Sequence, residues 1–283
     1  MRRNHIIFME AFRATSAGSS VRNKIIILIS LFIYSVFRFI PRHFQLLKRS
    51  SYAYYGEFIL KDVTVKNEDG IFYCRKRSAD CPVVSPTYEK EIREYFGLNK
   101  GIFIDVGAHI GKYTIMMCKR LDNQSKVIAL EPDPDNYKVL LRNILLNDCK
   151  DITPLNVGLW KEKDKLNLYG FGNKNTGGRS VVVSTSDFKV IIEVDTLDNV
   201  LKKLGVKKVD LIKIDVEGAE VEVLEGAKET LKQKPKIIFE CWSEKNLHNI
   251  QNILKEYRVN KTAMEGYYFA YVDNAVNRYN ISS

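Results

Sequence analysis

Residues 101–132 read GIFIDVGAHIGKYTIMMCKRLDNQSKVIALEP. The apolar run Ile102–Ile104 ends in Asp105, and Gly107 and Gly111 bracket a tight turn before a stretch with helical spacing. A second apolar run, Val127–Leu130, ends in Glu131. Strand, glycine turn, helix, strand and acid form the opening unit of α/β domains that hold a nucleoside-containing ligand at the carboxyl ends of parallel strands.

Outward from this unit the pattern repeats. Expected strands at 102–106, 126–130, 152–158, 190–194, 209–214 and 236–240 alternate with expected helices at 111–121, 134–147, 195–204, 217–232 and 244–257. Such alternation demands a mostly parallel sheet covered on both faces. Turns between Gly170 and Gly178 mark an insertion, and the Tyr- and Phe-rich stretch 261–272 reads as a terminal β-hairpin. Upstream, Tyr52–Tyr73 alternates like a hairpin with its turn at Asn67–Gly70, and Thr87 is placed to cap a helix to about Phe96 that covers the ligand edge.

The glycine spacing narrows the ligand. In the dinucleotide fingerprint G-x-G-x-x-G the second glycine admits a pyrophosphate. Here His109 occupies that place. The spacing D-x-G-x-x-x-G instead suits a smaller, cationic ligand, with Asp105 supplying negative charge and Glu131 accepting both ribose hydroxyls. S-adenosylmethionine has those parts. His109 reads as a neighbour of the cofactor loop, with an acceptor-side base or an exposed rim residue as other roles. Tyr113 and Thr114 begin the helix under the cofactor, and Asn156, Val157 and Gly158 lie where adenine is met through the backbone. Trp160 reads as an adenine platform or a packed core residue.

Five segments resemble the FkbM family of S-adenosylmethionine-dependent methyltransferases: DVGAHIGKYT (105–114), ALEPDPDNYKVLLRN (129–143), VDTLDNVL (194–201), VDLIKIDVEGAEVEVLEGA (209–227) and IIFE (237–240). They recur in the family's order over roughly residues 85–241. The resemblance implies a class I methyltransferase fold and O-methylation of a hydroxyl on a sugar, polyketide or similar small molecule. It leaves the acceptor unidentified. Composition and patterning divide the chain into a poorly ordered basic arm over 1–22, an apolar-basic helix over 23–50 and a hairpin and cap helix over 51–100, and the resemblance makes 101–283 the methyltransferase domain.

Methyl transfer needs close, collinear positioning, and a hydroxyl acceptor needs a base for its proton. Asp215 follows the strand 209–214 at its tip, Glu217 comes two residues later, Lys213 shares Asp215's face by the two-residue period, and Glu240 ends the next strand. These four are the candidate catalytic residues. A helix N-terminal acid is the simpler reading of Glu217. Glu220 and Glu222 read as solvated helix faces. Three carboxylates could also hold a divalent cation, but no metal is assigned.

The charge is uneven. The chain carries a net +10, but residues 1–50 hold nine basic residues and one acid, a net +8, leaving +2 for the rest. The near-neutral remainder argues against a nucleic-acid groove. The arm also holds the longest apolar run, Ile25–Phe37, extended by Phe39 and Ile40. As a helix it reaches about 24 Å, short of the roughly 30 Å hydrocarbon core, although Lys24 and Arg38 could snorkel. The segment reads as a shallow membrane-surface anchor that brings a cytoplasmic catalytic domain to a lipid-linked acceptor, or as a helix packed on a fully cytoplasmic protein or on a dimer partner. Five cysteines without a C-x-x-C pair point to reduced thiols rather than a disulfide framework or structural zinc.

Other functions on the same fold stay open: N- or RNA methylation, or a nicotinamide-dependent oxidoreductase. An Asn-Pro-Pro-Tyr-type amino-methylation motif is absent, and a Tyr-x-x-x-Lys spacing occurs once, at Tyr257–Lys261, where the last expected helix ends.

Overall fold

The computed structural model describes residues 18–39, 59–170, 179–182 and 189–273. The N-terminal part contains helix α1 (Val21–Phe39), strands β1 (Val63–Lys66) and β2 (Ile71–Cys74), a single turn α2 (Asp80–Val83) and a 3-10 helix, Lys90–Phe96. Then follow β3 (Ile102–Val106), α3 (Lys112–Arg120), β4 (Lys126–Leu130), α4 (Pro134–Leu146), β5 (Ile152–Leu155), β6 (Gly158–Leu159), β7 (Asp164–Gly170), β8 (Arg179–Ser180) and β9 (Lys189–Asp195). The rest comprises α5 (Leu197–Lys203), β10 (Leu211–Ile214), α6 (Glu220–Glu225), α7 (Lys228–Leu231), β11 (Lys236–Glu240), α8 (Glu244–Ile253), β12 (Arg258–Lys261) and β13 (Tyr267–Tyr271).

Seven strands form the central sheet in the order β12-β13-β11-β10-β3-β4-β5. Neighbours from β11 to β5 run parallel, and β13 is antiparallel to β11 and β12. This is the expected mostly parallel class I fold. Strand order reverses between β3 and β10, so a crevice opens at their carboxyl ends.

The two-residue strand period divides the core. Ile104, Val106, Ile128, Ile212, Ile214, Ile237 and Phe239 pack on one face with α5, α6 and α8. Phe103, Val127, Leu211 and Ile238 pack on the other with Phe96, Tyr113 and Tyr267. Burial on both faces explains why these strands are apolar runs rather than alternating ones. Helix starts follow their caps. The Asp133 side chain accepts from the N–H groups of Asp135 and Asn136 ahead of Pro134, and Thr196 and Ser243 cap α5 and α8.

Several expectations need correction. Thr87 does not cap a helix; its hydroxyl bonds Ser85, and Glu89, at φ 54°, precedes a 3-10 turn. The helix expected over 217–232 is split into α6 and α7, because Asp198 accepts from the N–H groups of Glu229 and Thr230 and so starts a second helix. The strand expected over 152–158 is two strands in different sheets: β6 joins β9, β7 and β8. Trp160 packs there against the Leu168–Ile192–Val194 cluster. Cys118 and Cys149 form a disulfide with Cα atoms 6.1 Å apart, while Cys74, Cys81 and Cys241 are buried and outside any disulfide. An odd cysteine count says nothing of which helix ends tertiary packing brings together. The hairpin turn 170–178 and the arm before residue 18 fall largely outside the described residues.

Helix α1 packs on the β1–β2 hairpin through Ile27 and Leu31. The chain ahead of it is pinned by Ser19 N–H donating to the Thr64 carbonyl, at 3.0 Å. The hairpin in turn is clamped to α4, where Asn143 and Asn147 accept from the N–H groups of Tyr73 and Ile71. Among the described residues no helix is long and apolar enough to cross a membrane.

Candidate active site

Two loops meet at the switch point. The first follows β3. Gly107 has φ 75°, and a Cβ there would lie 1.9 Å from the Asp215 carbonyl oxygen. Gly111, at φ 94°, starts α3 where a Cβ would lie 2.7 Å from Leu140. The glycines are thus required by close backbone approach and left-handed geometry. Between them His109 adopts φ 52° and turns its N–H onto Glu131 Oε2, at 2.7 Å. Glu131 Oε1 accepts from Asp133 N–H at 3.0 Å, and Asn156 Nδ2 donates to the Glu131 carbonyl at 2.8 Å. The strand-tip carboxylate is therefore held in one orientation, as a hydroxyl acceptor must be.

Asp105 lies deeper than a rim charge. It is 1% exposed; its Oδ2 accepts from Thr114 Oγ1 at 2.6 Å, and burial raises its pKa against the opposing Lys213. Its Oδ1 has no hydrogen-bond partner and lies 3.8 Å from Lys213 Nζ. The His109 ring is not an exposed rim group. Its Nε2 lies 3.9 Å from Asp80, which Arg75 grips with two nitrogens. Burial lowers its pKa to about 4, so the ring is neutral at physiological pH. Tyr113 stacks on Phe96 with centroids 4.6 Å apart and donates to Glu89.

The second loop follows β10. Register places Lys213 beside Asp105 and Ile238, and Glu240 opposite Tyr267. Lys213, 3% exposed, lies 3.1 Å from Asp215 Oδ2. Despite desolvation, the attraction of Asp215 and Asp105 holds the Lys213 pKa above its ordinary value, and Lys213 in turn lowers that of Asp215. Glu217 adopts φ 53°, in a turn before α6 rather than in a helix start. Asp215, Glu217 and Glu240 each offer an oxygen within 4.8 Å of the others. Burial, then the Asp215 charge, raises Glu217 to about 8 and Glu240 to about 9. All four expected catalytic residues thus come together.

Glu220 is not a solvated face. It is 2% exposed, and its carboxylate accepts from Gly218 N–H at 3.0 Å, fixing the turn that carries Glu217. Two further groups escaped sequence reading. Tyr267 OH lies 3.2 Å from Asp215 Oδ2 and 3.1 Å from Glu89 Oε1. Glu89 also accepts from Tyr113 OH at 2.6 Å. Nothing local marks either residue; the signal is the hairpin register that sets Tyr267 against Glu240.

The methyltransferase FkbM domain matches residues 105–259. Methyltransferase sdnD of Sordaria araneosa is 35% identical over 158 residues, 44% of this chain and 60% of that protein. Hexuronic acid methyltransferase AglP of Haloferax volcanii is 25% identical over 154 residues, 54% of this chain and 60% of that protein. The chain therefore spans about three fifths of these relatives' length. Among solved structures, M. jannaschii TYW2 in complex with AdoMet is similar with a TM-score of 0.42 and 16% identity, covering 74% of this chain and 83% of that one.

Proposed function

This chain belongs to the FkbM methyltransferase family, and from that premise we propose that it O-methylates a hydroxyl of a sugar, glycan or comparable small molecule. Its cofactor is S-adenosylmethionine. The residues fit that cofactor: an oriented carboxylate ends β4, and a buried Asp105 oxygen without a hydrogen-bond partner lies in the neighbouring strand. When bound, the cofactor supplies an electrophilic methyl group on a sulfonium.

Glu131 takes the ribose hydroxyls, with the Gly107–Gly111 loop and Asn156 holding it in place. Lys213 keeps Asp215 ionised, and Tyr267 and Asp215 orient the acceptor side. The acceptor's hydroxyl proton passes to the Glu217–Glu240 pair. With its carboxyl raised to about 8, Glu217 is mostly protonated at pH 7, and its ionised form, which takes the proton, is a stronger base than an ordinary carboxylate. One observation carries this reading: three carboxylates and a lysine converge at the carboxyl edge of β10 and β11, beside the cofactor loop. A sugar acceptor is supported by the printed name of AglP, a hexuronic acid methyltransferase.

The test is transfer of labelled methyl from S-adenosylmethionine to extracted glycans, lipids and polyketides, with EDTA and with added magnesium. Labelled product bearing a base-stable O-methyl ether, lost in Asp215→Asn, supports the reading. N-methylated product contradicts it. Activity that EDTA removes and magnesium restores would move the three carboxylates from proton transfer to metal binding.

A further inference from the structure

Helix α1 has two apolar faces, and the protein uses one. Ile27, Ser30 and Leu31 are buried, with Ile27 and Leu31 packed into the hairpin cluster. On the opposite face Val21, Ile25, Leu28, Ile29 and Phe32 are exposed, Val21 and Phe32 by 74% and 71%. The spacing of 21, 25, 28 and 32 makes one continuous stripe along the helix. Exposed Arg22 and Lys24 flank it on either side. A run that looks apolar all round in sequence is therefore an amphipathic exterior once its inner half is packed. A contiguous apolar stripe of this kind marks an interaction surface.

We propose that the outer face of α1 docks on an anionic lipid bilayer, with the helix lying in the plane of the surface. The apolar stripe enters the headgroup–acyl boundary, and Arg22 and Lys24 stay at headgroup level. Charge selects this occupant. Residues 1–50 carry a net +8, which an anionic leaflet attracts. A second copy of the same face would instead bring like charge against like charge. Ser20 caps the helix through Asn23 N–H, and the Asn23 side chain donates to the Thr64 carbonyl, so the stripe is held rigidly relative to the hairpin.

The experiment is cosedimentation of the full chain with vesicles of phosphatidylcholine alone and of phosphatidylcholine mixed with phosphatidylglycerol. The mixed vesicles should take the protein down, and rising salt should release it. Phe32→Ser should weaken partitioning about tenfold. Lys24→Gln should weaken it roughly fivefold on the anionic vesicles. Both variants should leave S-adenosylmethionine affinity unchanged. Protein that stays in the supernatant with anionic vesicles overturns the proposal, as does equal, salt-insensitive binding to both vesicle types. Light scattering that shows a dimer, converted to monomer by Phe32→Ser without vesicle binding, assigns the stripe to self-association instead.

Discussion

The loop after β3 and the loop after β10 face each other across the switch point, and each forces a non-glycine residue into the left-handed region, His109 at φ 52° and Glu217 at φ 53°. Such backbone costs about 1–3 kcal/mol per residue and concentrates at functional sites. The two loops use it differently. The first turns a backbone N–H onto Glu131, so a carboxylate is oriented by donors. The second brings Glu217 toward Asp215 and Glu240, so carboxylates crowd one another and hold protons to about 8 and 9. On the function proposed above, the same residue type serves as a fixed acceptor for hydroxyls on one side and handles a proton on the other. Environment, not residue identity, assigns the role.

The comparison can be broken at the point where the loops touch. Gly107→Ala places a Cβ against the Asp215 carbonyl at a positive φ. It should destabilise the protein by about 2–5 kcal/mol, read by denaturant unfolding, and impair both loops together. Unchanged stability would mean that the loops are independent.

Asp215→Asn separates the halves. Turnover should fall about 10²-fold or more with cofactor affinity nearly intact. Full activity in this variant would remove the β10 loop from the chemistry.

A smaller effect sharpens the electrostatics. Glu240 is raised from 4.5 to about 9, so the folded state binds a proton that the unfolded state releases above about pH 4.5. Its contribution to stability is full below that pH and is lost as pH rises toward 9. Glu240→Gln keeps the neutral form at every pH. The variant's Tm relative to wild type should therefore climb by about 2–4 °C or more between pH 5 and pH 8, by scanning calorimetry. A constant difference across that range would contradict the crowded-carboxylate account.

Much of this site is legible in sequence because its chemistry sits at strand ends. Asp105, Glu131, Asp215 and Glu240 each end or follow an apolar run, and parallel strands carry those ends to one edge. The illegible parts depend on pairing between distant elements. Tyr267 reaches Asp215 through an antiparallel hairpin whose register no local pattern sets. Glu89 enters through a left-handed residue ahead of a 3-10 turn, where helical spacing predicted a capped helix from Thr87. Glu220 has the spacing of a surface residue and is buried because it closes the Glu217 turn. Cys118 and Cys149 pair across 31 residues because two helix ends converge.

The central claim is that cofactor binding belongs to the β3–β4 half of the site and proton handling to the β10–β11 half. Isothermal titration of S-adenosylmethionine into wild type, Glu131→Ala and Asp215→Asn tests it most directly, since no acceptor is needed. The account predicts that Glu131→Ala weakens binding by about 1.5–3 kcal/mol, roughly tenfold to a hundredfold, while Asp215→Asn stays within about twofold of wild type. Wild-type affinity in Glu131→Ala, or equal losses in the two variants, would contradict it.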